Sequence, residues 1–214
     1  MVDLVSPLLS ASQLPHFDMN LTNPYSQAGW GSSNGSSPVP SIFGALPFSS
    51  TASGPSLHQF QFTSLNPDVL NCTVIGPQSK TYFRILDNTP SQDFTLFQNR
   101  DGKSVAVVEW RRAPGTVVEV RDIIRKQLVS AWLPLSADRK YRYMHALNRT
   151  FVWVPKNEVV GLYTYGTSTP ELYARFFRAE GRVVLEVTST AIQLGLLECC
   201  VVAVALLQSG RTID

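Results

Sequence analysis

Two clusters of basic side chains hold the charge most able to do chemistry here: Lys103 with Arg111 and Arg112, and Arg139 and Lys140 with Arg142. Guanidinium forks and ammonium groups hold phosphate and other oxyanions. Arg111-Arg112 and Arg139-Lys140 also fall at the ends of expected strands, where a charge keeps a sheet edge solvated. Beside them stand Glu109 and three indoles, Trp110, Trp132 and Trp153. Glu109 is placed to pair with Arg111, and in a sheet protein the indoles are expected in the core and at corners.

Catalytic chemistry finds little to work with. His16 and His58 lie early in the chain, which leaves His145 as the one imidazole base of the later part. The chain has no G-x-S-x-G elbow, P-loop, H-E-x-x-H or G-x-G-x-x-G motif. Cys72, Cys199 and Cys200 have no metal-ligand spacing with a histidine. Cys199 and Cys200 sit in an apolar run, where burial raises a thiol pKa and makes a poor nucleophile. The expectation is a non-enzymatic protein with no metal and no cofactor.

Charge is unevenly spread. All eighteen Lys and Arg lie at or beyond Lys80, against fourteen acids from Asp68 onward. That mild excess favours an anionic partner but is far from the dense basic composition of a nucleic-acid binder. The N-terminus carries an acid, Asp3, where a secretory signal has its basic region, and Pro7 breaks its short apolar stretch. A cytoplasmic protein with reduced thiols is expected.

These groups must be positioned by a domain that begins well into the chain. Nineteen of the thirty-one residues 26–56 are Ser, Gly or Pro, too few core-forming side chains to offset the entropy of ordering. Residues 1–66 are therefore read as a disordered tail, with Trp30, Phe43, Phe48, Phe60 and Phe62 as isolated apolar points. Residues 67–214 form the domain. Nine strands are expected, at 81–86, 93–98, 104–110, 116–121, 140–146, 150–154, 159–165, 172–177 and 182–187, with 69–75 a tenth. They are rich in aromatic and β-branched residues and separated by hairpin-sized turns. Asp122 is expected to cap a helical turn over 123–127. The class is mainly β: an antiparallel curved sheet or closed barrel.

The last element is the most telling. Residues 191–207, AIQLGLLECCVVAVALL, are apolar save for Gln193, Gly195 and Glu198. A helix apolar on every side must be enclosed by protein or lipid. Seventeen residues reach about 25 Å, short of a hydrocarbon core of about 30 Å, and Glu198 in lipid is costly. A core helix over about 190–208, enclosed by the curved sheet, is the expectation, and a transmembrane span is not.

A sheet closed around an apolar C-terminal helix resembles the tubby C-terminal-like superfamily, which includes LURP-one-like proteins and phospholipid scramblases. The local motifs resemble more closely an uncharacterised fungal family, DUF6593. They are Val107-Val108-Glu109-Trp110, Trp132-Leu133-Pro134, the basic strand 139–143, Phe151-Val152-Trp153 and the apolar close 183–207. The resemblance covers about residues 80–208. It implies fold more than function, because the fungal family has no established activity. Its tubby relatives imply phosphoinositide binding through a basic patch, for which the candidates are Lys103, Arg111, Arg112, Arg139, Lys140 and Arg142. Two readings stand: a module docking an unknown protein partner or serving structurally, and a peripheral module binding an anionic phospholipid.

Overall fold

The computed structural model describes residues 56–87 and 93–214. Twelve strands form one antiparallel sheet curled into a nearly closed barrel. They are β1 (Leu57–Thr63), β2 (Cys72–Ile75), β3 (Thr81–Asp87), β4 (Phe94–Asn99), β5 (Ser104–Glu109), β6 (Val117–Val120), β7 (Ile124–Leu128), β8 (Arg142–Ala146), β9 (Arg149–Lys156), β10 (Val159–Thr164), β11 (Leu172–Ala179) and β12 (Arg182–Thr188). Sheet order is β7-β6-β5-β4-β3-β2-β1-β12-β11-β10-β9-β8. Every neighbour is a sequence neighbour except β1 with β12, whose register Phe60↔Leu185 and Phe62↔Val183 joins the first strand to the last. Period-2 alternation turns Val74, Ile85, Phe97, Val108, Phe151 and Leu185 inward.

The expected tail reaches into this sheet. Its residues as far as 55, with Trp30, Phe43 and Phe48, lie outside the described residues, but β1 falls within 1–66. Phe60 and Phe62 are buried at 1% and 0% exposure, so they are core and not docking points. The six-residue alternation His-Gln-Phe-Gln-Phe-Thr is a half-buried strand pattern, and a partner strand a hundred and twenty residues away fixes it. Residues 123–127 likewise differ from the expected helical turn: 124–127 belong to β7, and Ile123 lies in the turn before it with Asp122, which is at φ 62°. The helical turn follows as α1 (Val129–Trp132). Pairing with β6, Val118↔Gln127 and Val117↔Leu128, decides the conformation there.

The apolar C-terminal run fills the barrel as two helices, α2 (Ser189–Gln193) and α3 (Leu197–Gln208). Thr188 Oγ1 accepts the Ala191 N–H at 3.1 Å and caps the first. Gly195, at φ 79°, then turns the chain, a conformation glycine adopts at little cost. That break moves Glu198 from the middle of an expected long helix into the first turn of α3, where a carboxylate faces the positive end of the helix dipole. All eight residues from Cys199 to Leu206 are buried. At twelve residues α3 is about 18 Å long. Among the described residues no helix is long and apolar enough to cross a membrane.

Candidate functional site

The pairing registers sort the six candidate cations by barrel end. β5 runs from Ser104 to Glu109, so Lys103 precedes one end while Arg111 and Arg112 follow the other, about 20 Å away. Glu109 is level with Val117, and Val117 with Leu128, which carries the second end round to α1 and the start of β8. Arg139, Lys140 and Arg142 lie at that same end. The structure thus separates Lys103 from the other five and splits those five into two groups.

Arg111 is engaged. Glu109 accepts from both Arg111 and Lys126. The Lys126 bond first, and the Arg111 charge after it, hold the Glu109 carboxyl below its ordinary range. Trp110 is structural: its Nε1–H donates to Thr95 Oγ1 at 2.8 Å, and the Arg211 guanidinium lies 4.7 Å from the ring centroid. Trp132 and Trp153 are buried in the core at 0% and 1%, as expected of indoles in a sheet protein.

Arg139, Lys140 and Arg142 instead border a pocket of about 230 Å³. Its apolar surface comes from Trp153, Val160, Phe176 and Leu207, and Leu135, 37% exposed, stands among its lining residues. Trp153 packs edge-on to Phe176 at 5.5 Å, and its buried Nε1–H has no acceptor among the described residues. The loop carrying Arg139 and Lys140 is held by Ser136, which is buried: Ser136 Oγ accepts the N–H groups of Lys140 (3.1 Å) and Tyr141 (3.2 Å) and donates to Asp138 at 2.6 Å. That hydroxyl bond, with the Lys140 N–H second, lowers the Asp138 pKa. Arg139 sits at φ 57° in the resulting turn. Arg142 is committed differently. Its two terminal nitrogens donate to the carboxylate of Asp214 at 2.8 and 2.6 Å, and one also donates to the Leu133 carbonyl at 2.9 Å. These bonds lower the Asp214 pKa.

The site therefore joins cationic groups to an apolar surface, a combination that receives an anionic group attached to an apolar body. Of the six cations expected from the sequence, Arg139, Lys140 and Arg142 line this pocket and Lys103, Arg111 and Arg112 do not. Sequence reading missed Phe176, Val160 and Leu207, which come from three distant elements, and missed Asp214 as the partner of Arg142. The Ser136-Ala137-Asp138 turn signature was the one available signal for the loop. His145 points away from this pocket's lining and contacts Thr150 Oγ1 at 3.2 Å through Nδ1. Among the described residues no group of three or more His, Cys, Asp or Glu is placed to hold a metal ion.

The model of a family of unknown function, DUF6593, matches residues 67–212. No curated protein matches the chain. An X-ray structure of a protein from Arabidopsis thaliana is similar over 68% of this chain and 90% of its own, with 12% identity and a TM-score of 0.35.

Proposed function

Because the chain belongs to the DUF6593 family, a family of unknown function, we propose a role from its surface chemistry: a non-enzymatic module that sets one end of its barrel on an anionic membrane surface. The carrying observation is the pocket bordered by Arg139, Lys140 and Arg142 over Trp153, Phe176 and Leu207. A phosphorylated headgroup meets the cations, and the exposed Leu135 and the apolar surface meet the acyl boundary. The resemblance of a sheet closed around an apolar C-terminal helix to tubby-type barrels, which implies phosphoinositide binding, supports this reading. Three cysteines without disulfides suit the reducing cytoplasmic face. A second reading, docking of a protein partner, draws on a different feature, the unpaired edges of β7 and β8.

Flotation of the full chain with phosphatidylcholine vesicles, with and without a phosphoinositide, tests the proposal. Binding is expected only with the anionic lipid and is reversed by high salt. Arg139→Glu with Lys140→Glu removes it, since each cation near such a surface contributes about 1 kcal/mol. Lys103→Glu, at the other end of the barrel, leaves binding unchanged. Equal flotation with neutral vesicles, or loss on changing Lys103 alone, overturns the reading.

A further inference from the structure

The barrel is not fully closed: β7 and β8, the terminal strands of the sheet, are not hydrogen-bonded to each other. Between them lies a cleft of about 590 Å³, bounded by residues 123–127 on one side and 145–150 on the other. Among the described residues no strand pairs with the outer edge of β7 or of β8. On β8 the Tyr143 N–H donates outward to Pro134 O at 2.9 Å. Backbone groups alternate in direction along an antiparallel strand, so those of His145 point the same way, beyond the reach of that loop. On the other edge, Val129 N–H donates to Thr116 O at 2.8 Å, across the ladder to β6. Gln127 therefore also faces β6, and the Lys126 carbonyl, opposite the Gln127 N–H in their shared peptide unit, points to the cleft; beyond it a register shift between Val118 and Val120 interrupts the alternation.

The side chains around the cleft differ by face. Ile124 and Ala146 are buried at 5% and 4% and line its inner side. Arg125, Lys126, His145 and Arg149 are exposed, and no lining residue is acidic. Arg125 makes no ion pair among the described residues, whereas Lys126 is held by Glu109. A strand entering here places alternate side chains on an apolar floor and the others against cations. The edges of a second copy carry the same cations, so self-pairing sets like charge against like.

We propose that this cleft receives an extended, acidic segment of a partner protein by strand addition, with apolar residues inward and Asp or Glu outward at alternate positions. Main-chain hydrogen bonds to Lys126 and His145 supply the register, and Arg125 and Arg149 select the charge. This site shares no lining residue with the headgroup pocket and stands or falls separately from it.

Fluorescence anisotropy of the full chain with a labelled, acetylated Glu-Val-Glu-Val-Glu-Val peptide is the test. Binding is expected, with slowed amide hydrogen exchange at His145. Arg125→Glu with Arg149→Glu weakens it by roughly tenfold or more; both side chains are exposed, and circular dichroism checks that the variant folds. Replacing the central valine of the peptide with proline, which removes an N–H donor and leaves the charge intact, abolishes binding. No binding by the alternating peptide, undiminished binding by its proline form, or tighter binding of a single-stranded oligonucleotide at the same cations overturns the proposal.

Discussion

At the scale of single residues, the buried thiols give the clearest pH dependence. Burial, with the Asp68 charge second, pushes the Cys72 thiol up to about 12, and burial with Glu198 pushes Cys199 to about 12. Cys72 also donates its S–H to Val69 O at 3.2 Å, a bond that ionisation destroys. Below pH 9 the folded and unfolded chains both hold these protons. Between pH 9 and 12 only the unfolded chain releases them, so stability falls as pH rises, and the fall ends at the folded pKa. At pH 10 each thiol costs on the order of 1.4 kcal/mol. Urea midpoints are expected to drop between pH 8 and 10, and Cys72→Ala with Cys199→Ala to flatten that drop. A midpoint profile that is the same for the double variant and the parent chain refutes the assignment. The same burial leaves Cys199 inert to alkylating reagents at neutral pH until the barrel unfolds. That inertness was legible in the sequence, because an apolar run around a thiol is a local signal. The Arg142–Asp214 pair was not, because its partners lie seventy-two residues apart.

Among elements, what could be read was what the chain encodes locally. Alternation and hairpin turns place β3 to β6 and β8 to β12 within a few residues of expectation, since each pairs with a sequence neighbour. β1 depends on β12, more than a hundred residues away and outside any local window, whereas at β7 pairing with its sequence neighbour β6 overrides the capping signal of Asp122. The apolar helix was legible as core filling, but its break was not, although Gly195 stood in plain view as the residue able to turn at positive φ. With a Cβ at Gly195 nothing lies within 4 Å, so Gly195→Ala meets backbone strain alone and is expected to cost about 1–2 kcal/mol. Packing inside the barrel sets larger effects. Leu206, 2% exposed, leaves a cavity on Leu206→Ala and is expected to lose about 2–5 kcal/mol in urea unfolding. Ala203→Leu forces extra atoms into the same space and costs about 1–3 kcal/mol. A Leu206→Ala cost no larger than that of an exposed substitution means that α3 does not fill the barrel.

For the whole molecule, the decisive connection is the segment 209–214, which runs from the end of α3 across the end of the barrel. Thr212 O accepts from Thr116 Oγ1 at 3.2 Å, Arg211 reaches Asp87 at 2.6 Å, Ile213 is buried, and Asp214 holds Arg142. Contacts with β3, with the start of β6 and with β8 thereby bind strands far apart around the circumference to the helix inside. The segment also competes for a cation at the proposed headgroup pocket, because the carboxylate on Arg142 occupies the fork that a phosphate would take. Two variants separate these roles. Asp214→Asn removes the charge of a half-exposed carboxylate, and the Arg142 guanidinium, 14% exposed, keeps its bond to the Leu133 carbonyl, so stability changes little, while the freed guanidinium tightens binding to phosphoinositide vesicles. Stopping the chain after Gly210 frees the same guanidinium but also exposes the surface beneath Ile213 and removes Arg211 from Asp87 and Trp110, so the urea midpoint falls as well. Ile213 burial alone is worth about 1.5–3 kcal/mol. Tighter vesicle binding by both variants, with destabilisation in the shortened one alone, marks the segment as both strap and competitor. Weaker binding by Asp214→Asn instead means that the carboxylate orients Arg142 for its ligand, and the competition is then refuted while the strap remains.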